Sequence, residues 1–135
     1  MPGPTAWPLT QQVIATGNQA ITTTTETVIA TLPNLNSRGS GYTIHFSGQA
    51  AFAVSAATTA TTLRIRIGTV TGTIVGSAVI AAGATAGDLQ DASGVVGGDY
   101  TPSQEIANAT FVLTIQATAA AANWNTTYAR LEAQQ

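Results

Sequence analysis

His45 is the only histidine of the chain, and it is the side chain that could act as a base in hydrolytic catalysis. A serine or threonine hydroxyl is a weak nucleophile unless a neighbouring base accepts its proton, so a catalytic triad would depend on this residue. The alternation of residue types around it places His45 in the middle of a strand, on the polar face, and the sequence contains no GxSxG motif. We therefore interpret His45 as a surface or interface residue and predict that the protein is not an enzyme.

Four of the six acidic residues lie in one turn-rich stretch without a basic residue: Asp88, Asp91, Asp99 and Glu105. Oxygen ligands on loops are what Ca²⁺ prefers, but this spacing matches no EF-hand loop. A carboxylate pair for glycoside hydrolysis would normally lie in a cleft rich in aromatic residues, and only 6% of this chain is aromatic. The sequence leaves open whether the four carboxylates bind a cation; a solvated loop, with no metal and no cofactor, is the interpretation that it favours.

Arg64 and Arg66 occupy alternate positions and so share one face of a predicted strand. Two neighbouring guanidinium groups can bind an anion, or a carboxylate across an interface. Pairing across strands of the same chain, or simple solvation, is the alternative. We include both arginines among the predicted interface residues.

Trp7 lies between prolines near the N-terminus. Proline lacks an amide donor and favours polyproline II geometry, which predicts an extended arm over residues 1–9. A large aromatic side chain on such an arm is an effective anchor when it finds a pocket on a neighbour. The alternative is that Trp7 folds back onto its own domain. The predicted interface residues are Pro4, Trp7, Pro8, Arg64 and Arg66.

Charged residues make up only 7% of the 135 residues, against about 25% in an ordinary soluble protein. The four basic residues are scattered and the net charge is −2, which argues against nucleic acid as a partner. The sequence has no cysteine, no signal-peptide pattern and no apolar run of the roughly 20 residues that a membrane span needs. An uncharged exterior suits a protein covered by neighbours, because charges are costly to desolvate.

Apolar and polar residues alternate with a period of two through much of residues 10–135, which predicts one all-β domain. The pattern is clearest in Tyr42–Val54, Leu63–Ile67 and Phe111–Ile115, and Gly48 is predicted to mark a bulge or a bend. Weaker candidate strands are Gln12–Thr16, Ala20–Thr24, Thr27–Leu32, Thr73–Ile80 and Thr127–Ala133.

Turns are predicted where glycine, asparagine and proline cluster, for example at Gly17-Asn18, Pro33-Asn34 and Gly97-Gly98-Asp99. Residues 117–122 could form a short helix, and residues 128–135 contain good helix formers although their alternation favours a strand. The spacing predicts a jelly-roll-like antiparallel β-sandwich of about eight strands over residues 10–135, preceded by the arm.

The sequence resembles the small β-sandwich proteins of tailed bacteriophage virions, and several segments carry the resemblance. They are the Thr-rich segment 21–25, the long strand Tyr42–Val54, the segment Leu63–Gly68, the hairpin 71–77 and the segment Ala129–Ala133. The likeness covers about residues 10–135 and is greatest to capsid decoration (cement) proteins and tail-associated jelly rolls.

This resemblance implies a homotrimer on the capsid surface, bound to the major capsid protein or another virion protein and clamping neighbouring subunits. The alternative is a receptor- or carbohydrate-binding module of a phage tail tip or fibre. Such a module needs exposed aromatic residues, for which Tyr100, Trp124 and Tyr128 are the candidates.

Overall fold

The computed structural model describes residues 10–20, 25–37, 41–54, 61–80, 90–117 and 125–135. They form eight β-strands: β1 (Thr10–Ala20), β2 (Thr27–Leu35), β3 (Ile44–Val54), β4 (Thr61–Ile67), β5 (Ile74–Ile80), β6 (Gln90–Tyr100), β7 (Ala109–Ala117) and β8 (Asn125–Gln134). The three segments with the clearest alternation lie in β3, β4 and β7.

Two four-stranded antiparallel sheets stack to form the domain. The first sheet has the strand order β1-β8-β3-β6 and the second has the order β2-β7-β4-β5. Only β4 and β5 follow each other along the chain within one sheet; every other connection passes from one sheet to the other. This is the arrangement of a jelly roll, and the predicted all-β, jelly-roll-like sandwich is confirmed.

The core lies between the sheets and consists of alternate residues from the facing strands. Leu63 and Ile65 of β4 are fully buried. At one end of the core, the ring centroid of Phe111 lies 4.5 Å from that of Phe46 and 6.0 Å from that of Tyr100. Each large apolar side chain removed from water contributes about 1.5–3 kcal/mol, so this alternation holds the two sheets together.

On one side of the sandwich, the edge strands β5 and β6 come into close backbone contact at two glycines. A β-carbon on Gly76 would lie 2.3 Å from the carbonyl oxygen of Gly97, and one on Gly98 would lie 2.4 Å from that of Val75. No side chain fits between the two backbones at this point. The edge strands of the two sheets can therefore approach each other directly.

The predicted turn at Gly97-Gly98-Asp99 is wrong, because these residues belong to β6. β6 pairs with β3 in an unbroken register from Ile44 opposite Tyr100 to Val54 opposite Gln90. Glycine weakens a strand by its own propensity, but here its missing side chain permits the contact with β5. Tertiary packing therefore overrides the local signal.

Two other predicted turns are wrong for a common reason. Gly17-Asn18 lies inside β1, where the register with β8 shifts between Thr16 and Gln19. Pro33-Asn34 lies inside β2, and Asn34 has a positive φ of 59° at a second register shift. In both places the irregular residues bulge out of a continuing strand instead of reversing the chain.

Gly48 was predicted to mark a bulge, but β3 keeps a regular register with both neighbours at this residue. A β-carbon there would lie 2.8 Å from a methyl carbon of Leu113 and 2.9 Å from one of Val96. Gly48 therefore makes room for the buried side chains that face it. Of the two features predicted for it, the bulge is wrong, and the bend stays a prediction.

The strand prediction for the C-terminal segment is confirmed, because β8 covers it. Ala117 is the last residue of β7, and the rest of the possible helix, residues 118–122, lies outside the described residues. So do residues 21–24 of the predicted strand Ala20–Thr24 and the whole predicted arm, residues 1–9. The extent of the arm and of the domain stays a prediction. The described residues include no helix that could cross a membrane.

Candidate functional site

Arg64 and Arg66 lie on the outer face of the second sheet, and both bind the carboxylate of Glu26. Arg64 donates from Nη1 to Glu26 Oε1 at 2.9 Å, and Arg66 donates to both carboxylate oxygens through Nε and Nη2. The side chain of Glu26 is only 12% exposed, and those of the two arginines are 21% and 14% exposed. Removing one partner of an ion pair this well covered costs more than breaking a surface pair, because it leaves a partly buried charge without its partner.

Neighbouring strands complete this network. Thr114 of β7 is fully buried and donates its hydroxyl to Glu26 Oε2 at 2.6 Å. Arg64 also donates to Gln116 Oε1 at 2.7 Å, and Arg66 donates to the carbonyl oxygen of Gly72 at 2.8 Å. The arginines therefore tie the start of β2 to β7 and to the β4–β5 turn.

The surroundings of Glu26 shift its pKa in two opposite directions. Removal from water raises that pKa, but the hydrogen bonds from Arg66 and Thr114 and the charges of Arg66 and Arg64 outweigh desolvation. The net result is a pKa below the usual value for glutamate. Glu26 is thus held as a carboxylate, and it occupies the guanidinium groups that an external anion would need.

Sequence reasoning missed Glu26. It recognised that Arg64 and Arg66 share a face, but it gave Glu26 no role. Only the strand order β2-β7-β4 brings the isolated acidic residue before β2 next to them. The sequence offered only a weak signal. Glu26 is a lone carboxylate in a Thr-rich segment, and Arg64 and Arg66 are two cations with no acidic residue near them in the sequence. The interface role of the two arginines stays a prediction.

His45 lies on the outer face of the first sheet, opposite Asp99 of β6. Its Nδ1 lies 2.8 Å from Asp99 Oδ1, and the two side chains are 62% and 65% exposed. Beside them the hydroxyls of Thr43 and Thr101 lie 2.8 Å apart. The described residues place this base and acid on an open sheet surface rather than in a cleft.

The acidic residues of the turn-rich stretch do not form one cluster in the described part of the chain. Asp99 pairs with His45, and Glu105 is exposed. Asp88 and the side chain of Asp91 lie outside the described residues. Where side chains are described, no group of three His, Cys, Asp or Glu residues could hold a metal ion. Pro4, Trp7, Pro8 and Trp124 also lie outside the described residues.

The two other candidate aromatic residues for sugar binding differ in their surroundings. Tyr100 packs edge-on against Phe111 and belongs to the rim of the core. Tyr128 is half-buried and lines a shallow cleft at the end of β1 and β8. The volume of this cleft is about 120 Å³, and its other lining residues are Ala15, Thr16, Gln19, Ile29, Thr126 and Ala129. It is smaller than the roughly 300 Å³ at which pockets for small molecules begin.

The first sheet has the longer strands, of ten or eleven residues each, and they present a regular outer face. Its outward side chains form four rows across the strands, each read from β1 through β8 and β3 to β6. The rows are Thr10, Gln134, His45 and Asp99; Gln12, Glu132, Ser47 and Gly97; Ile14, Arg130, Gln49 and Val95; and Thr16, Tyr128, Ala51 and Ser93.

The described charged side chains of this face are paired within the chain. His45 meets Asp99, and Arg130 donates from Nη1 to Glu132 Oε2 at 3.1 Å. Two large apolar side chains stand at opposite edges of the face: Ile14 on β1 is 49% exposed and Val95 on β6 is 66% exposed. The arrangement has the features of a contact surface, since little charge must be stripped of water there.

Fold and surface together define an eight-stranded jelly roll with a largely uncharged outer sheet face. No protein-family model matches the chain, and neither does any curated protein sequence. Solved structures of the same architecture come from infectious bursal disease virus. The structure of its T13 viral particle aligns with 96% of this chain and 32% of that one, at 12% identity and a TM-score of 0.60. The VP2 subviral particle aligns with 93% and 33%, at 15% identity and a TM-score of 0.54.

At such low identity the similarity establishes the fold alone, and the chain spans about a third of the length of these viral proteins. A weaker match is the cellobiose complex of CsCBM6-3 from Clostridium stercorarium, at 14% identity and a TM-score of 0.40, over 88% of this chain and 90% of that one.

Proposed function

We propose that the chain is a non-enzymatic structural protein of a virion that decorates and reinforces an assembled capsid. The observation that carries the proposal is a jelly-roll domain with a sparsely charged exterior: only 7% of the residues are charged, and most of the described charges form pairs within the chain. The jelly-roll architecture, which virus particles also use, supports it, and so does the resemblance to phage decoration proteins.

The mechanism would be stabilisation by mass action. A protein that binds the closed shell and not the free subunits shifts the equilibrium towards the intact particle. Many copies, each making a weak contact, give a large combined effect when several contacts are linked in one oligomer. The partner would be the major capsid protein or another virion protein, and the predicted arm with Trp7 would supply a further contact.

Purified virions made from the genome that encodes this chain provide the test. Peptides of the chain should be present in stoichiometric amounts, and electron cryomicroscopy should show an eight-stranded sandwich on the outside of the shell. Removing the protein by mild treatment should leave a closed capsid that breaks at a lower temperature. Virions that lack the chain altogether would refute the proposal.

A tail-tip binding module is the competing function, and the same preparation separates the two. Density at the tail tip, together with selective binding on a glycan array, would favour the module. Stoichiometric rebinding of the purified protein to stripped capsids would favour decoration.

A further inference from the structure

The outer face of the first sheet has a bulky half and a small half. The outward side chains of β1 and β8 are mostly long: Gln12, Ile14, Tyr128, Arg130, Glu132 and Gln134. Their neighbours in the same rows on β3 and β6 are mostly short: Ser47, Ala51, Ser93, Val95 and Gly97. The boundary between the halves runs along the sheet, between β8 and β3.

From this asymmetry we infer that the face binds a second copy of the same chain. The two first sheets pack face to face around a two-fold axis that runs along the strands, between β8 and β3. Such an axis puts the bulky half of each copy over the small half of the other, row for row. Because the interface is isologous, every contact occurs twice.

In two of the four rows, the contacts beside the axis pair a long side chain with a short one. Tyr128 lies over Ala51 of the other copy and Glu132 lies over its Ser47. At the edges, Ile14 meets Val95 of the other copy, so the two most exposed apolar side chains of the face cover each other. A two-fold axis across the strands would instead place β8 on β8 and bring bulky side chains together.

The charges also permit this contact. Arg130 and Glu132 form one internal pair and His45 and Asp99 form another. The axis places Arg130 over an amide, that of Gln49, and Asp99 over a hydroxyl, that of Thr10. No described charge of the face lies over a like charge, so bringing the two faces together adds no repulsion between like charges.

The area is sufficient for a stable dimer. The strands of the sheet are ten or eleven residues long. At about 3.4 Å per residue along a strand and about 4.8 Å between strands, the face covers about 700 Å². A standard interface buries about 800 Å² per partner. Aligned sheets packed in this way form ordinary β-sandwich contacts.

The mass of the purified chain in solution is the first measurement. The inference expects twice the 13.6 kDa of one chain, by light scattering or sedimentation at micromolar concentration. A mass of one chain, or of three chains as the trimer implied by the resemblance, would overturn it. The measurement needs no capsid, so its outcome is separate from that of the decoration proposal.

Substitutions that introduce opposite charges at Ile14 and Val95 test the contact between these two residues. Ile14→Glu alone and Val95→Lys alone each bury an unpaired charge twice in the dimer, and each should weaken dimerisation by about 100-fold or more. The double variant should regain most of this affinity, because each new carboxylate then faces a new ammonium group. Within one chain the two positions are three strand spacings apart, about 14 Å, so rescue can only arise between copies.

The second sheet offers matched controls. Ile74 and Val79 on β5 are 48% and 68% exposed, close to the 49% of Ile14 and the 66% of Val95. Ile74→Glu and Val79→Lys should leave the dimer intact. Circular dichroism should show all variants folded. Dissociation by the controls as well, or a double variant that stays as weak as the single ones, would contradict the proposed geometry.

Discussion

Gly98 of β6 and Gly76 of β5 lie back to back where the two sheets meet: a β-carbon on Gly98 would lie 3.0 Å from the Cα atom of Gly76. The nearest atoms on both sides belong to backbone, which cannot rotate away as the end of a long side chain can. This contact joins an edge strand of one sheet to an edge strand of the other.

Gly98→Ala and Gly76→Ala should therefore destabilise the fold strongly, by about 2–4 kcal/mol each, because the backbones must move apart. Gly97→Ala is the control on the same strand. Its β-carbon would meet only the carbonyl oxygen of Phe46, at 3.7 Å, so a change within about 1 kcal/mol is expected. Urea unfolding measures all three, and equal losses at Gly97 and Gly98 would contradict the close approach.

Glu26→Gln should lower the free energy of unfolding at neutral pH by about 2–4 kcal/mol, since it leaves two partly buried arginines without their carboxylate. The control is Glu105→Gln, at an exposed glutamate, which should change little. An equal loss in the free energy of unfolding in both variants would show that the Glu26 network adds no more stability than an exposed glutamate does.

Acid should weaken the wild-type protein through the same residue. The pKa of Glu26 is lower in the fold than in the unfolded chain. Its stabilising effect is therefore complete above the unfolded pKa and is lost as the pH falls through the lower, folded pKa. Melting curves from about pH 6 to about pH 3 should show a smaller decline in Glu26→Gln than in the wild type. Parallel declines would indicate that other groups dominate.

His45→Ala should leave the fold essentially unchanged, by less than about 1 kcal/mol, because its pair with Asp99 is largely exposed to water. The decoration proposal further expects capsid stabilisation to persist in this variant. If the protein were a hydrolase, the substitution would abolish its function, and retention of full function excludes that reading.

Deletion of residues 1–9 should leave the β-sandwich folded, because β1 begins after them at Thr10. The sequence-based hypothesis expects the deletion to abolish binding to capsids. Trp7→Ala tests the aromatic anchor separately, and Thr5→Ala is its control, at an arm position outside the predicted interface residues. Unchanged capsid binding by the deletion variant would remove the arm from the proposed function.

The sequence predicted the fold class because side-chain alternation is a local property that each strand carries by itself. Leu63, Ile65 and Ile67 alternate with polar residues whatever strand lies beside them. It predicted about eight strands, but not the right set. β6 was missed because its glycines and aspartates resemble a turn, and their compatibility with a strand depends on β3 and β5.

The tertiary structure alone decided which residues meet across the strands. Two arginines on β4 were recognised from their spacing, but their partner Glu26 precedes a strand that is separated from β4 by β7 in the sheet. The rows of the first sheet arise in the same way, since Ile14 and Val95 are far apart in sequence and share a row only through the register of four strands. Periodicity fixes which face a side chain occupies, whereas strand order and register, set by the packing of the whole domain, fix its neighbours.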